Sequence, residues 1–352
     1  MNSLIMLVMI EQKILKSIIN EDANLATEIY KRYEKEISKM LQKARLRALF
    51  LELLDLEHHK KIKLKEVNDQ ILHRNIVILD EVKILSKIFD ENSINYCFIK
   101  GVSSLLHFNE LMPKRFTSDI DVLVDINNLK QLHDVLSKQK LNPIFDYSYD
   151  YSSSKINHSF ERIKLKSGLY IDFHFRITSP LHFKDCPLSN YVMENSSPSK
   201  DFFGVRVTNK TSIYLIALYQ IFIKKESDIR TGSYVDLVFL RQNMNFNTID
   251  LDKALKDSFL YDYHKFLERF LVYLIKDNNN KNPEMDEFIK KIFTQSKFNF
   301  FNIKFALVNT LYFNQLKIEK YGYLAKKNNL YFSLKFFYDK FIKLLSNYFR
   351  KN

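Results

Sequence analysis

Turn residues are scarce in this chain, with 5 Gly and 6 Pro among 352 residues. That scarcity excludes a collagen-like or linker-rich polypeptide and weighs against a many-turned β-sandwich. None of the glycines stands in a Walker-type or G-x-G-x-x-G arrangement, so kinase and dehydrogenase phosphate loops have no support. There are only two cysteines, Cys97 and Cys186, far apart and outside any C-x-x-C pair. A zinc knuckle is thereby disfavoured, and both read as packing thiols in a reduced compartment. No apolar run reaches the roughly 18 residues of a membrane-spanning helix. The Leu4–Ile10 run lacks the basic flank and small-residue cleavage site of a secretory leader. A cytoplasmic protein without a membrane partner is expected.

Apolar residues and positive charge are plentiful. The chain is 46% hydrophobic, enough to bury a core in two or three domains. Its net charge is +13, unevenly spread. From Lys290 to the end, 13 Lys and Arg face two acids, Glu319 and Asp339, a local balance of +11. Such a segment either attracts polyanions or forms a solvated helix surface.

The patterning predicts an α+β fold, a small mixed β-sheet core flanked by N- and C-terminal helical regions. Three regions are expected: 1–90 helical, 91–208 the core, and 209–352 helical with a basic aromatic tail. Leu41, Leu46, Leu49 and Leu53, then Ile71, Ile78, Val82 and Leu85, recur at helical spacing. Residues 95–99 read as a strand, 101–104 as a small polar turn and 103–110 as a helix. Strands are expected at 120–124, 144–147, 159–165 and 169–177, with Ser167-Gly168 as the tight turn between the last two. Leu129, Leu132, Val135 and Leu136 should face inward from a helix over 127–140. Residues 203–207 read as an edge strand, and Thr211 as the cap of a helix over 212–225. A further helix starts at Asp250 or Asp252, and 331–349 carries an apolar stripe that suits core packing or a membrane surface.

The chemistry-bearing residues lie in two short runs, Ser118-Asp119-Ile120-Asp121-Val122-Leu123-Val124-Asp125 and Ile171-Asp172-Phe173-His174-Phe175-Arg176. Side chains alternate along a strand, so Asp119 and Asp121 share a face, as do Asp172, His174 and Arg176. Aspartate is unfavourable inside an apolar strand, and a cation is the simplest reason for one to be there. Converging on one point, Asp119, Asp121 and Asp172 would hold divalent metal against a nucleoside triphosphate. Asp125 reads as a cap. Asp236, in an apolar helix, has no assigned role.

Together, Lys100-Gly101, Arg115, Ser118-Asp119-Ile120-Asp121 and Asp172-Phe173-His174 resemble the polymerase-β-like nucleotidyltransferase superfamily. The likeness is closest to the poorly characterised bacterial nucleotidyltransferase family with a KG…R…DxD…DxH pattern, and it spans about residues 40–275. The resemblance implies a short mixed sheet, NTP as substrate and Mg²⁺, two ions in all. It implies Asp119, Asp121 and Asp172 as catalytic metal acids. Lys100, Gly101, Ser103, Arg115, Ser118 and His174 would line the nucleotide site. The expected reaction moves a nucleoside monophosphate onto a hydroxyl or phosphate acceptor, a small molecule, peptide or protein. An RNA-directed enzyme using the basic tail and a non-catalytic nucleotide-binding module are the alternatives.

Overall fold

The computed structural model describes residues 10, 13–44, 47–54, 58–139, 159, 162–178, 187–222, 237, 240, 248–275 and 283. The expected strand at 144–147, Asp236 and the basic tail lie outside the described residues.

After helical residues at 13–19 come α1 (Ala23–Ala44), α2 (Arg47–Glu52) and α3 (His58–Glu91). The Asp22 carboxylate caps α1 by accepting from the Leu25 N–H at 2.9 Å. Helix α3 has 34 residues. Ile78, Val82, Leu85 and Phe89 form its buried stripe. It stops where Ser93 turns left-handed, with φ at +51°.

The sheet then begins with β1 (Tyr96–Phe98), followed by helix α4 (Lys100–His107), β2 (Ile120–Val124) and α5 (Leu129–Lys138). A hairpin of β3 (Ile163–Lys164) and β4 (Tyr170–His174) comes next. After α6 (Leu188–Glu194) come β5 (Ser196–Pro198) and β6 (Arg206–Thr208). Helices α7 (Lys210–Phe222), α8 (Thr248–Asp257) and α9 (Tyr261–Ile275) follow. The six strands lie in the order β3-β4-β2-β1-β6-β5. The β2–β4 and β1–β6 pairs are parallel and the other three antiparallel, the mixed sheet of the expected α+β class.

Alternation along the strands divides the core in two. Ile120, Val122 and Val124 of β2 and Ile171 and Phe173 of β4 pack with α3 and α5. Phe89, Tyr96, Phe98 and Phe173 meet there edge to face, with ring centroids 4.9 to 6.0 Å apart. On the opposite face, Cys97 and Leu123 pack with Ile14, Phe50, Tyr214, Leu255 and Phe266 from helices at both ends of the chain. The acids of β2 and β4 project to this second face.

Several elements depart from expectation. Residues 101–104 are not a turn; they form the first turns of α4, which also ends earlier than 110. Val102 and Leu105 draw the segment into a helix by entering one core each. The cap of α7 is Asn209, whose Oδ1 accepts from the Ser212 N–H at 2.8 Å, and not Thr211. The strand expected at 203–207 is β6, an interior strand; β5, its antiparallel partner, is the edge. Helix α8 starts at Thr248, placing Asp250 in its first turn. The β3–β4 turn stands where expected, closed by Gly168 at φ +83° and a 2.8 Å bond from the Leu165 N–H to the Leu169 carbonyl. Both strands are shorter than expected, and Ser159 forms an isolated bridge with His174. The four inward residues of α5 are all buried, and the Asp125 carboxylate caps the next turn through the Asn127 N–H.

Candidate active site

Parallel pairing puts Asp121 directly beside Asp172 and Leu123 beside His174. Asp121, Asp172 and His174 are buried, and one donor atom from each lies within 4.8 Å of the others. The sequence reading had Asp119 as the third member of this group. In the structure His174 completes it, while Asp119, just ahead of β2, is held otherwise. Its Oδ1 accepts from the Ser118 hydroxyl at 2.7 Å. Its Oδ2 lies 3.2 Å from the Arg162 guanidinium.

Lys100 reaches into the acids from the start of α4. Its ammonium pairs with Asp121 and lies 3.1 Å from His174 Nε2. The same Nε2 is 2.8 Å from Asp121 Oδ1. When protonated, that nitrogen donates to the carboxylate; when bare, it accepts from Lys100. Burial works to lower the Lys100 pKa, but Asp121, Asp172 and Asp119 outweigh it and hold the ammonium above its ordinary value. Burial likewise works to raise the Asp121 pKa. Lys100 and His174 outweigh it there and hold the carboxyl well below the usual range.

The backbone of Lys100 is left-handed, with φ at +54°. A non-glycine residue in that region carries about 1–2 kcal/mol of strain. Gly101 follows, in close contact: a Cβ on it would lie 2.7 Å from Thr117 Cγ2 and 2.9 Å from an Arg115 guanidinium nitrogen. Arg115 thus stands over the start of α4 and donates to Thr117 Oγ1 at 3.1 Å. Ser103 is fully buried, and its hydroxyl donates to the Phe98 carbonyl at 2.6 Å. It ties α4 to β1. Arg176 is half-buried beyond the end of β4.

Three residues had gone unnoticed in the sequence. Arg162 precedes β3, and its Nε also lies 3.7 Å from Asp172 Oδ2. Arg74 and Asn75 extend from α3 to the loop before β2. Arg74 donates to the Thr117 and Ser118 carbonyls at 2.7 and 2.8 Å, and stacks over Phe116. The Asn75 amide donates to the Met112 and Arg115 carbonyls, each at 2.8 Å. This loop carries Arg115, Ser118 and Asp119, so α3 fixes their positions.

The donor set fits a divalent cation. Two carboxylates and an imidazole converge, and Asp172 Oδ1 is buried with no hydrogen-bond partner among the described residues. A buried carboxylate oxygen without a partner is costly, and coordination to a cation would satisfy it. A family model described as an uncharacterised nucleotidyltransferase matches residues 33–275, most of the chain and the whole of this site. No curated protein matches the sequence.

Proposed function

We propose that this chain, which belongs to that nucleotidyltransferase family, moves a nucleoside monophosphate from an Mg²⁺-bound NTP to a hydroxyl or phosphate acceptor, with a small molecule or peptide favoured. The observation that carries this reading is the in-register pair Asp121 and Asp172, with the unpartnered Asp172 Oδ1 beside it. Asp121 and Asp172 would hold metal, joined by His174 and, once its present partners let go, Asp119. Bound Mg²⁺ supplies charge cancellation on the phosphates, which phosphoryl chemistry needs more than covalent help.

The remaining groups bind and orient. Lys100 and Arg115 neutralise phosphate charge, Arg115 through its planar fork. The first-turn N–H groups of α4, which no side chain caps, suit an anion, and Gly101 allows Thr117 and Arg115 to stand close to them. Ser118 holds Asp119 in place, and Ser103 fixes the strand–helix junction. Asp172 would also take the proton of the acceptor hydroxyl, on whichever carboxylate oxygen the metal leaves open.

Titration calorimetry with each of the four NTPs, with and without Mg²⁺, tests the assignment. Mg²⁺-dependent binding by the native chain should vanish in an Asp119→Asn/Asp121→Asn double variant. Binding that is unchanged in the variant would move the nucleotide site elsewhere.

A further inference from the structure

Arg162 is placed by the β3–β4 hairpin. Ile163 pairs with Ile171 and Lys164 with Tyr170. Continued by one residue, that antiparallel register brings Arg162 beside Asp172. Its guanidinium then spans two acids at once, 3.2 Å from Asp119 Oδ2 and 3.7 Å from Asp172 Oδ2. The remaining acid, Asp121, is paired with Lys100. Each of the three carboxylates that a metal would draw upon therefore already faces a side-chain cation. A guanidinium keeps its charge at any working pH. The carboxylates are freed from it only by displacement.

The two cations differ in room to move. The Lys100 side chain is 18% exposed and the Arg162 side chain 58%. Lys100 is enclosed, whereas Arg162 stands at the rim of the site with more than half of its side chain open to solvent. An arginine turned off two carboxylates needs another anion. The one that arrives with the metal is the triphosphate, whose paired oxygens fit the same planar fork.

We infer that Arg162 is a triphosphate-binding residue that waits on the metal acids: in the metal-free enzyme it bridges Asp119 and Asp172, and when a divalent cation takes those carboxylates its guanidinium passes to the phosphates. The inference rests on the metal–nucleotide reading above and adds to it a residue and an order of events. It also gives Arg162 opposite effects on two ligands. It competes with metal alone and assists metal-bound nucleotide. An arginine that only braces the fold would, when removed, weaken both.

The test compares the native chain with Arg162→Gln and Arg162→Lys, each checked for unchanged circular dichroism. Mn²⁺ binding is measured first, without nucleotide. The α,β-methylene analogue of the preferred NTP is then titrated with Mg²⁺ present. Arg162→Gln should bind Mn²⁺ about two- to fivefold more tightly, the range expected for loss of an exposed ion pair. It should bind the nucleotide about tenfold more weakly, as expected for a lost charge-assisted contact. Arg162→Lys, which keeps the charge and loses the fork, should leave Mn²⁺ binding near native and still weaken nucleotide binding. Loss of both affinities together in Arg162→Gln, or no change in either, overturns the inference while leaving the metal site in place. Native protein that binds Mn²⁺ but no nucleotide also overturns it. Native protein that binds no Mn²⁺, no better than Asp121→Asn, removes the metal site and the inference with it.

Discussion

Gly101→Ala should destabilise the protein, against the usual sense of a Gly to Ala change in a helix. The new Cβ would meet Thr117 Cγ2 at 2.7 Å and an Arg115 nitrogen at 2.9 Å. The arginine contact is cheap to relieve, because the end of a long side chain can rotate at the loss of its 3.1 Å bond to Thr117 Oγ1. The threonine contact is not. Thr117 is buried, and its carbonyl is fixed by Arg74 at 2.7 Å, so its backbone cannot retreat. Overpacking of this kind costs about 1–3 kcal/mol. Better helix propensity returns at most about 1 kcal/mol. The net expectation is a loss of about 1–2 kcal/mol, read from urea unfolding followed by circular dichroism. The decisive control is Thr117→Ser, which removes the offending methyl and keeps the hydroxyl. In that background Gly101→Ala should become neutral or stabilising, a coupling that a double-mutant cycle isolates. An equal cost in both backgrounds would refute the contact as the cause. No cost in either would refute the close approach itself.

Two further outcomes follow from buried groups. Lys100→Met leaves the buried Asp121 without its ammonium partner and should cost about 3 kcal/mol, of which Asp121→Asn in the same chain restores most; additive losses in urea unfolding would contradict the pairing. Burial leaves no exposed surface on Cys97 and pushes its thiol up to about 12. In a Cys186→Ser variant, DTNB at pH 8 should therefore find no reactive thiol until urea unfolds the chain, and rapid native reaction would rule out the buried position.

Most of the site was legible because its signals are local. Alternation puts Asp121 on one face of β2, and Asp172 and His174 on one face of β4. Only the parallel register of those strands had to be supplied by the fold. Arg162 was readable in principle, since a hairpin turning at Ser167-Gly168 sets what lies across from Asp172. Arg74 and Asn75 were not, because they act on carbonyls 37 to 44 residues away and leave no local pattern. The start of α4 misled for the opposite reason. Gly101-Val102-Ser103-Ser104 has poor helix propensity, and a helix forms there because Val102 and Leu105 are each fully buried. Likewise, β5 is a Ser-Ser-Pro edge strand with no apolar alternation to betray it.

The hydrogen bonds by which Arg74 and Asn75 of α3 hold the acid-bearing loop all end on main-chain oxygens, those of Met112, Arg115, Thr117 and Ser118. Every residue type offers the same oxygen. A substitution at Pro113 can therefore change the surface of the loop without cutting any of these bonds, whereas Lys114 and Phe116 have side-chain partners of their own in Glu52 and Arg74. Loop path and loop surface can in this way vary apart: α3 keeps the backbone that carries Asp119 in place through oxygens that every substitution retains.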